Sequence, residues 1–184
     1  MEPVKPKMLI WGKQIYLRPI GAEDTKRIVE WRNQQDVVKN FIYRDVLSVY
    51  EHEQWLKNKV FTGLVHQFIV CMREQDTPVG CVYLQKFEKQ HRRAESGIFL
   101  GETAIRGKGI GTQAVRLLAE YGFYQLGLHK ITARVLASNK ASARLHEKAG
   151  YRQEAYLKDE LFLDGKYEDL LIFGAIEPNA NAVD

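Results

Sequence analysis

Residues 103–115, TAIRGKGIGTQAV, crowd three glycines and two cations into Arg106-Gly107-Lys108-Gly109-Ile110-Gly111, just before an apolar run with helical spacing. A helix amino terminus leaves backbone N–H groups unpaired at the positive end of its dipole. Glycine lets the chain turn sharply there and come close to a ligand. Arg106 and Lys108 add mobile positive charge. A strand, a glycine loop and a helix in that order make an anion cradle, whose natural guest is a phosphate or a pyrophosphate.

Two familiar phosphate loops do not fit. A P-loop puts Lys and then Ser or Thr after its last glycine, whereas Lys108 stands between glycines. A dinucleotide fingerprint needs Gly-x-Gly-x-x-Gly and an acid about 20 residues on. Here the spacing is Gly107-x-Gly109-x-Gly111, and Glu120 falls mid-helix.

Arg106-x-x-Gly109-x-Gly111 does resemble the Arg/Gln-x-x-Gly-x-Gly/Ala signature of the GCN5-related N-acetyltransferases (GNAT). The likeness runs from roughly residue 9 to residue 176 in the order of elements. It includes NKASARLHEKAGY (139–151), where Asn139 and the pair Gly150-Tyr151 match that family's helix-to-strand motif. The resemblance implies acetyl-CoA as co-substrate and no metal. Its diphosphate would lie on Arg106, Gly107, Lys108, Gly109, Ile110, Gly111 and Thr112. Its pantetheine arm would run beside the backbone of Phe99, Leu100 and Gly101, where a freed strand N–H would polarise the thioester carbonyl.

Read as a helix at ~100° per residue, residues 139–150 put Asn139, Ala143 and His146 on one side. Ala141, Leu145 and Ala149 fall opposite, to pack on a sheet. The first set would wall the pantetheine arm, with Asn139 also capping the helix. His146 stands where the family has a tyrosine that protonates the departing thiolate. It is either that acid, since an imidazole of pKa ~6.5 can donate a proton, or a histidine packed at the helix edge. Glu95, on the strand entering the loop, matches the catalytic glutamate of the histone-acetyltransferase branch. It is either the base that takes the amine's proton, a binder of the substrate ammonium, or a partner of Arg92 or Arg93.

The acceptor pocket would come from the first helices and the closing hairpin, with Trp31, Arg32, Tyr43 and Glu51 as substrate contacts and Asn33, Arg44, His52 and Trp55 beside them. Trp31 and Trp55 read equally as core. The segment EAYLKDELFLDGKYEDLLIFG (154–174) resembles the ribosomal-protein alanine N-acetyltransferases and their spermidine-acetylating relatives. EWRNQQDVVKNF (30–41) with EHEQWL (51–56) resembles enzymes that acetylate UDP-linked amino sugars.

The elements that must position these groups read as β αα βββ α β α ββ. Strands are predicted at 9–20, 66–74, 78–88, 92–102 and 130–137, with a closing hairpin over 151–176 about Asp164-Gly165. Helices are predicted at 22–33, 48–61, 109–126 and 139–150. The second carries the Ser48/Glu51 capping box, the third an apolar stripe through Ile110, Ala114, Leu117, Leu118 and Tyr121, and the last stops at Gly150. This predicts a mixed α/β, GNAT-like fold with one mostly antiparallel sheet of about seven strands and about four helices, splayed between the fourth and fifth strands. Flexible ends (1–7 and 178–184) would flank one domain over 8–177.

With 184 residues, 45% apolar and 27% charged, the chain has the composition of an ordinary soluble globular protein. No apolar run approaches the ~20 residues of a membrane span, and MEPVKPKMLIWGK reads as no signal peptide. Cys71 and Cys81 lie in apolar runs without metal-ligand spacing. Reduced, buried thiols in a cytoplasmic protein are expected, a cross-strand disulfide being the alternative. The net charge of +4 suits an anionic small ligand as well as nucleic acid.

The expected activity is transfer of acetyl from acetyl-CoA to a primary amine: a protein N-terminus, a polyamine or a similar small amine. The protein would be a monomer or homodimer. Acetylation of a UDP-linked amino sugar is the alternative acceptor reading, and a non-catalytic acyl-CoA sensor the alternative of another class. Nucleic-acid binding through the basic stretch LQKFEKQHRR (84–93) ranks last, because no reading helix or stacking motif accompanies it.

Overall fold

The computed structural model describes residues 8–178. The expected flexible ends, 1–7 and all of 178–184 but Pro178, lie outside the described residues. The strands are β1 (Ile10–Trp11), β2 (Ile15–Pro19), β3 (His66–Met72), β4 (Thr77–Glu88), β5 (Arg93–Leu100), β6 (Lys130–Leu136), β7 (Arg152–Leu163) and β8 (Lys166–Ile176). The helices are α1 (Thr25–Asn33), α2 (Gln35–Val38), α3 (Val49–Trp55), α4 (Ile110–Glu120) and α5 (Lys140–Lys148).

One eight-stranded sheet runs in the order β1-β2-β3-β4-β5-β6-β8-β7, antiparallel except where β5 meets β6. The eighth strand arises because residues 9–20 fold as a hairpin rather than one strand. The Gly12 N–H donates to the Ile15 carbonyl at 2.8 Å, and the Gln113 side chain accepts from the amides of Gln14 and Ile15. The helix beyond the expected four is α2, a single turn. α3 and α4 each run on into a π-helical turn, at Leu56–Val60 and Tyr121–Gln125.

Strand alternation splits the core in two. Phe68 and Val70 of β3 and Val82 and Leu84 of β4 pack with Ile110, Ala114, Leu117 and Leu118 of α4. Ile69, Cys71 and Cys81 face the other way, with Ile28 and Trp31 of α1, Leu56 and Phe99. Each wholly buried Leu or Ile contributes roughly 1.5–3 kcal/mol. Both cysteines are free and buried.

β5 and β6 pair only between Arg93–Ser96 and Lys130–Ala133. Beyond Ser96, β5 continues along β4 as far as Leu100, while β6 continues along β8. The sheet therefore opens at the carboxyl ends of these two strands, the expected splay between the fourth and fifth strands of the sequence reading. A parallel pair needs a crossover, and here it is α4, whose amino terminus stands at that opening.

Candidate functional site

A cavity of about 990 Å³ fills the splay and extends under α1–α3. One end is the glycine loop. Gly107 and Gly109 sit at φ 78° and 79°, where a residue with a Cβ is strained, and no heavy atom lies within 4 Å of where a Cβ would be. Gly109 is the N-cap of α4, and no side chain caps the helix. The first-turn amides are thus left to whatever enters the cavity. Arg106, Gly107, Gly109, Ile110, Gly111 and Thr112 line this end, with Arg144 and Lys148 of α5 adding cations opposite. Lys108 is exposed and lies outside the lining. These open donors and cations fit a diphosphate.

Phe99 and Leu100 line the splay, but Gly101 does not. Its N–H already donates to the Val79 carbonyl at 3.0 Å, and the Trp31 ring fills the space of its missing Cβ. The arm expected along 99–101 therefore has backbone beside it only as far as Leu100.

Asn139 caps α5, its Oδ1 accepting from the Ser142 amide at 3.1 Å, and it also lines the cavity. The expected facing of the helix holds in part: Asn139 and His146 line the cavity and Ala143 does not. Ala141, Ser142 and Leu145 line the cavity, while Ala143 packs into the α4-side core and is absent from the lining. His146 does line the cavity, as expected, but it is only 2% exposed, edge-on to Tyr151 at 5.2 Å and stacked on Phe173 at 5.8 Å. Its Nδ1 donates to the Ser142 carbonyl at 2.8 Å, and its buried Nε2 has no partner. Burial lowers its pKa, against the opposing pull of that hydrogen bond. A neutral ring with its proton on Nδ1 has none to give from Nε2. The geometry favours the packed reading of His146 over the acid, although the residue lines the cavity.

Glu95 lines the cavity with its carboxylate held from β4: Gln85 Nε2 and Lys86 Nζ each donate to it at 3.0 Å. A bulge in β4, with Lys86 at φ 52°, brings that lysine round. The arginines considered as partners are engaged elsewhere, Arg92 with Glu177 and Arg93 with Glu88.

In the acceptor half, Trp31 is core. It is 2% exposed, outside the lining, and its Nε1 donates to Glu102 at 3.0 Å. Arg32 does line the cavity. Its guanidinium lies 3.5 Å over the Phe41 ring and Nη2 reaches the Tyr43 carbonyl at 3.4 Å, while buried Nη1 has no partner. Burial lowers the Arg32 pKa. Tyr43 is 73% exposed at the mouth. Glu51 lines the wall but is occupied as the Ser48 capping box, both of whose bonds form. Trp55 donates to Gln67 at 3.0 Å and lines the cavity.

Sequence reasoning passed over Gln67, Tyr83, Gln85 and Ser142, which also line the cavity. Strand alternation could have placed Tyr83 and Gln85 on the face of Cys81. Nothing in the sequence marks their distance from Glu95.

The family model described as an acetyltransferase (GNAT) domain matches residues 14–152. A probable N-acetyltransferase of Bacillus subtilis, YjcK, is 29% identical over 179 residues, covering 93% of this chain and 98% of that protein. A putative ribosomal N-acetyltransferase of the same organism, YdaF, is 25% identical, covering 90% and 93%. Among solved structures, the spermidine N-acetyltransferase of Vibrio cholerae in complex with CoA and spermine superposes with a TM-score of 0.83 at 25% identity, covering 90% of this chain and 96% of that one.

Proposed function

The chain belongs to the GNAT acetyltransferase family and is an acetyl-CoA-dependent N-acetyltransferase; from that premise we propose which residues do the work. The diphosphate is held by the first-turn amides of α4 together with Arg106, Arg144 and Lys148. The observation that carries this is the uncapped amino terminus of α4 standing at the one parallel, incompletely paired junction of the sheet.

Bound acetyl-CoA supplies the activated acyl group. An alkyl ammonium has a pKa near ~10 and must lose a proton before it can attack. Glu95 accepts that proton, directly or through a water, from a position fixed by Gln85 and Lys86. An N–H of the β5 segment beyond Ser96, where no strand pairs on the β6 side, polarises the thioester carbonyl. Asn139, Ser142 and Leu145 wall the arm. His146 supports that wall rather than donating a proton. A thiol pKa near ~8.5 makes the thiolate a competent leaving group without a strong acid.

The acceptor is a primary amine. The spermidine enzyme's fold and the ribosomal relative's sequence support a polyamine or a protein N-terminus. The second reading, an amino-sugar nucleotide, is favoured by Arg32, a cation in the acceptor half with no carboxylate partner among the described residues. The test is thiol release from acetyl-CoA on adding peptide N-termini, polyamines and amino-sugar nucleotides in turn. Amine-dependent release is expected, and its absence with every amine would contradict the reading.

A further inference from the structure

Two buried polar atoms in the acceptor half lack a partner: Arg32 Nη1 and His52 Nε2. Their residues approach from α1 and α3, and both line the cavity. Among the described residues, no carboxylate lies within ion-pair distance of Arg32. The guanidinium has the Phe41 ring face, a long bond to the Tyr43 carbonyl and the electrostatic influence of the Tyr83 hydroxyl. Arg32 as a residue is half-buried, but its buried Nη1 without a counter-charge is costly, because desolvation is not offset by attraction. His52 is 3% exposed, and its Nδ1 lies 3.0 Å from Thr25 Oγ1. The threonine hydroxyl can either donate or accept; an anion at Nε2 selects the tautomer in which the hydroxyl donates to Nδ1 and Nε2 carries the ring proton. Both free atoms are then donors.

The carboxylates of the same cavity are mostly spoken for. Lys39 holds Asp36, Ser48 holds Glu51, and Gln85 and Lys86 hold Glu95, which leaves Asp45 exposed at the rim. A polycation entering here would meet an unpaired guanidinium and no free buried carboxylate. Resting on the N-acetyltransferase reading above but choosing against its polyamine acceptor, we infer that the acceptor carries an anionic oxygen group, a carboxylate or a phosphate, at its non-reacting end. Arg32 and His52 bind that group. Nη1 and Nε2 are both screened from the open space of the cavity, so the group must displace the side chains over them to accept from both. The pair thus selects the acceptor, while Glu95 treats its amine.

The experiment compares kcat/KM for ω-amino carboxylates, from glycine to 6-aminohexanoate, with α,ω-diamines and uncharged alkylamines of matching length. Phosphoethanolamine and aminoalkylphosphonates form a separate arm. At least a tenfold preference for an anionic member over its diamine is expected, and the arm that wins says whether the anion is carboxylate or phosphate. Equal rates, or a preference for diamines or uncharged amines, overturn the inference while leaving the enzyme intact. No turnover of any amine, peptides included, overturns the enzyme reading and this inference with it. In Arg32→Gln, KM for the anionic acceptor should rise at least tenfold, with KM for acetyl-CoA and for an uncharged amine within twofold of wild type. An equal rise for charged and uncharged amines would make Arg32 a packing residue and refute the assignment. His52→Gln provides the same comparison if Arg32→Gln does not fold, and the wild-type comparison stands without either variant.

Discussion

The imidazole of His146 donates its Nδ1 proton to the Ser142 carbonyl 2.8 Å away, one turn back along α5. That bond fixes the tautomer, because a carbonyl only accepts. The bare Nε2 is buried among Tyr151 and Phe173. His146→Phe keeps the ring stack and removes a buried unpartnered nitrogen. It should change kcat by less than about threefold and leave the pH–rate profile unaltered between pH 6 and 8. A loss of about 100-fold would restore the acid role.

Glu95 is treated differently. Gln85 and Lys86 aim its carboxylate. Glu95→Gln keeps size and shape and loses the base. Steady-state kinetics should show kcat reduced by about 100-fold, KM for acetyl-CoA nearly unchanged, and partial recovery at high pH, where the amine deprotonates in solution. Unchanged turnover from pH 6 to 9 would remove Glu95 as the base.

Gly109→Asp tests the cradle. Asp tolerates the left-handed backbone better than most residues, and the position has open space for a Cβ, so the fold should survive. The new carboxylate would face the diphosphate at the helix terminus. Calorimetric titration should find CoA bound at least about tenfold more weakly, with circular dichroism unchanged.

His52 gives the protein an acid sensitivity whose sign follows from burial. Burial lowers its pKa to about 4, with the charge of Asp24 opposing. The unfolded chain, with an ordinary value near ~6.5, therefore takes up the proton first. Stability is fully present above about pH 6.5 and falls as pH drops towards 4. The loss is about 2–3 kcal/mol at pH 4 from this group. Urea unfolding of His52→Gln should show a shallower fall than wild type over that range. Parallel curves would contradict the assignment.

The anion loop and the strands beside it were legible because their signals are local. Glycines at positive φ, the Ser48/Glu51 box, the Asn139 cap and the Gly150 stop each act within a few residues, and each forms as read. The helix stripe from Ile110 to Tyr121 is buried as its spacing demands. The errors are matters of tertiary choice. Residues 9–20 carry no strong turn signal, and it is Gln113, about a hundred positions away, that holds the β1–β2 bend. α5 presents apolar and polar groups on both sides of its wheel, so the spacing put Ala143 on the cavity side where Leu145 stands instead. Trp31 reads as pocket or core until Gly101 and Glu102 are seen against it. The surroundings of Arg32 join α1 to the Phe41–Tyr43 segment and to β4, a relation that no spacing encodes.

The central claim is that the β5–β6 splay and the amino terminus of α4 together hold the acyl donor. A crystal structure with CoA bound tests it most directly. The diphosphate should lie within hydrogen-bonding reach of the amides between Gly107 and Thr112, with the thiol end inside the splay towards Glu95. CoA lying anywhere else on the protein would contradict the account.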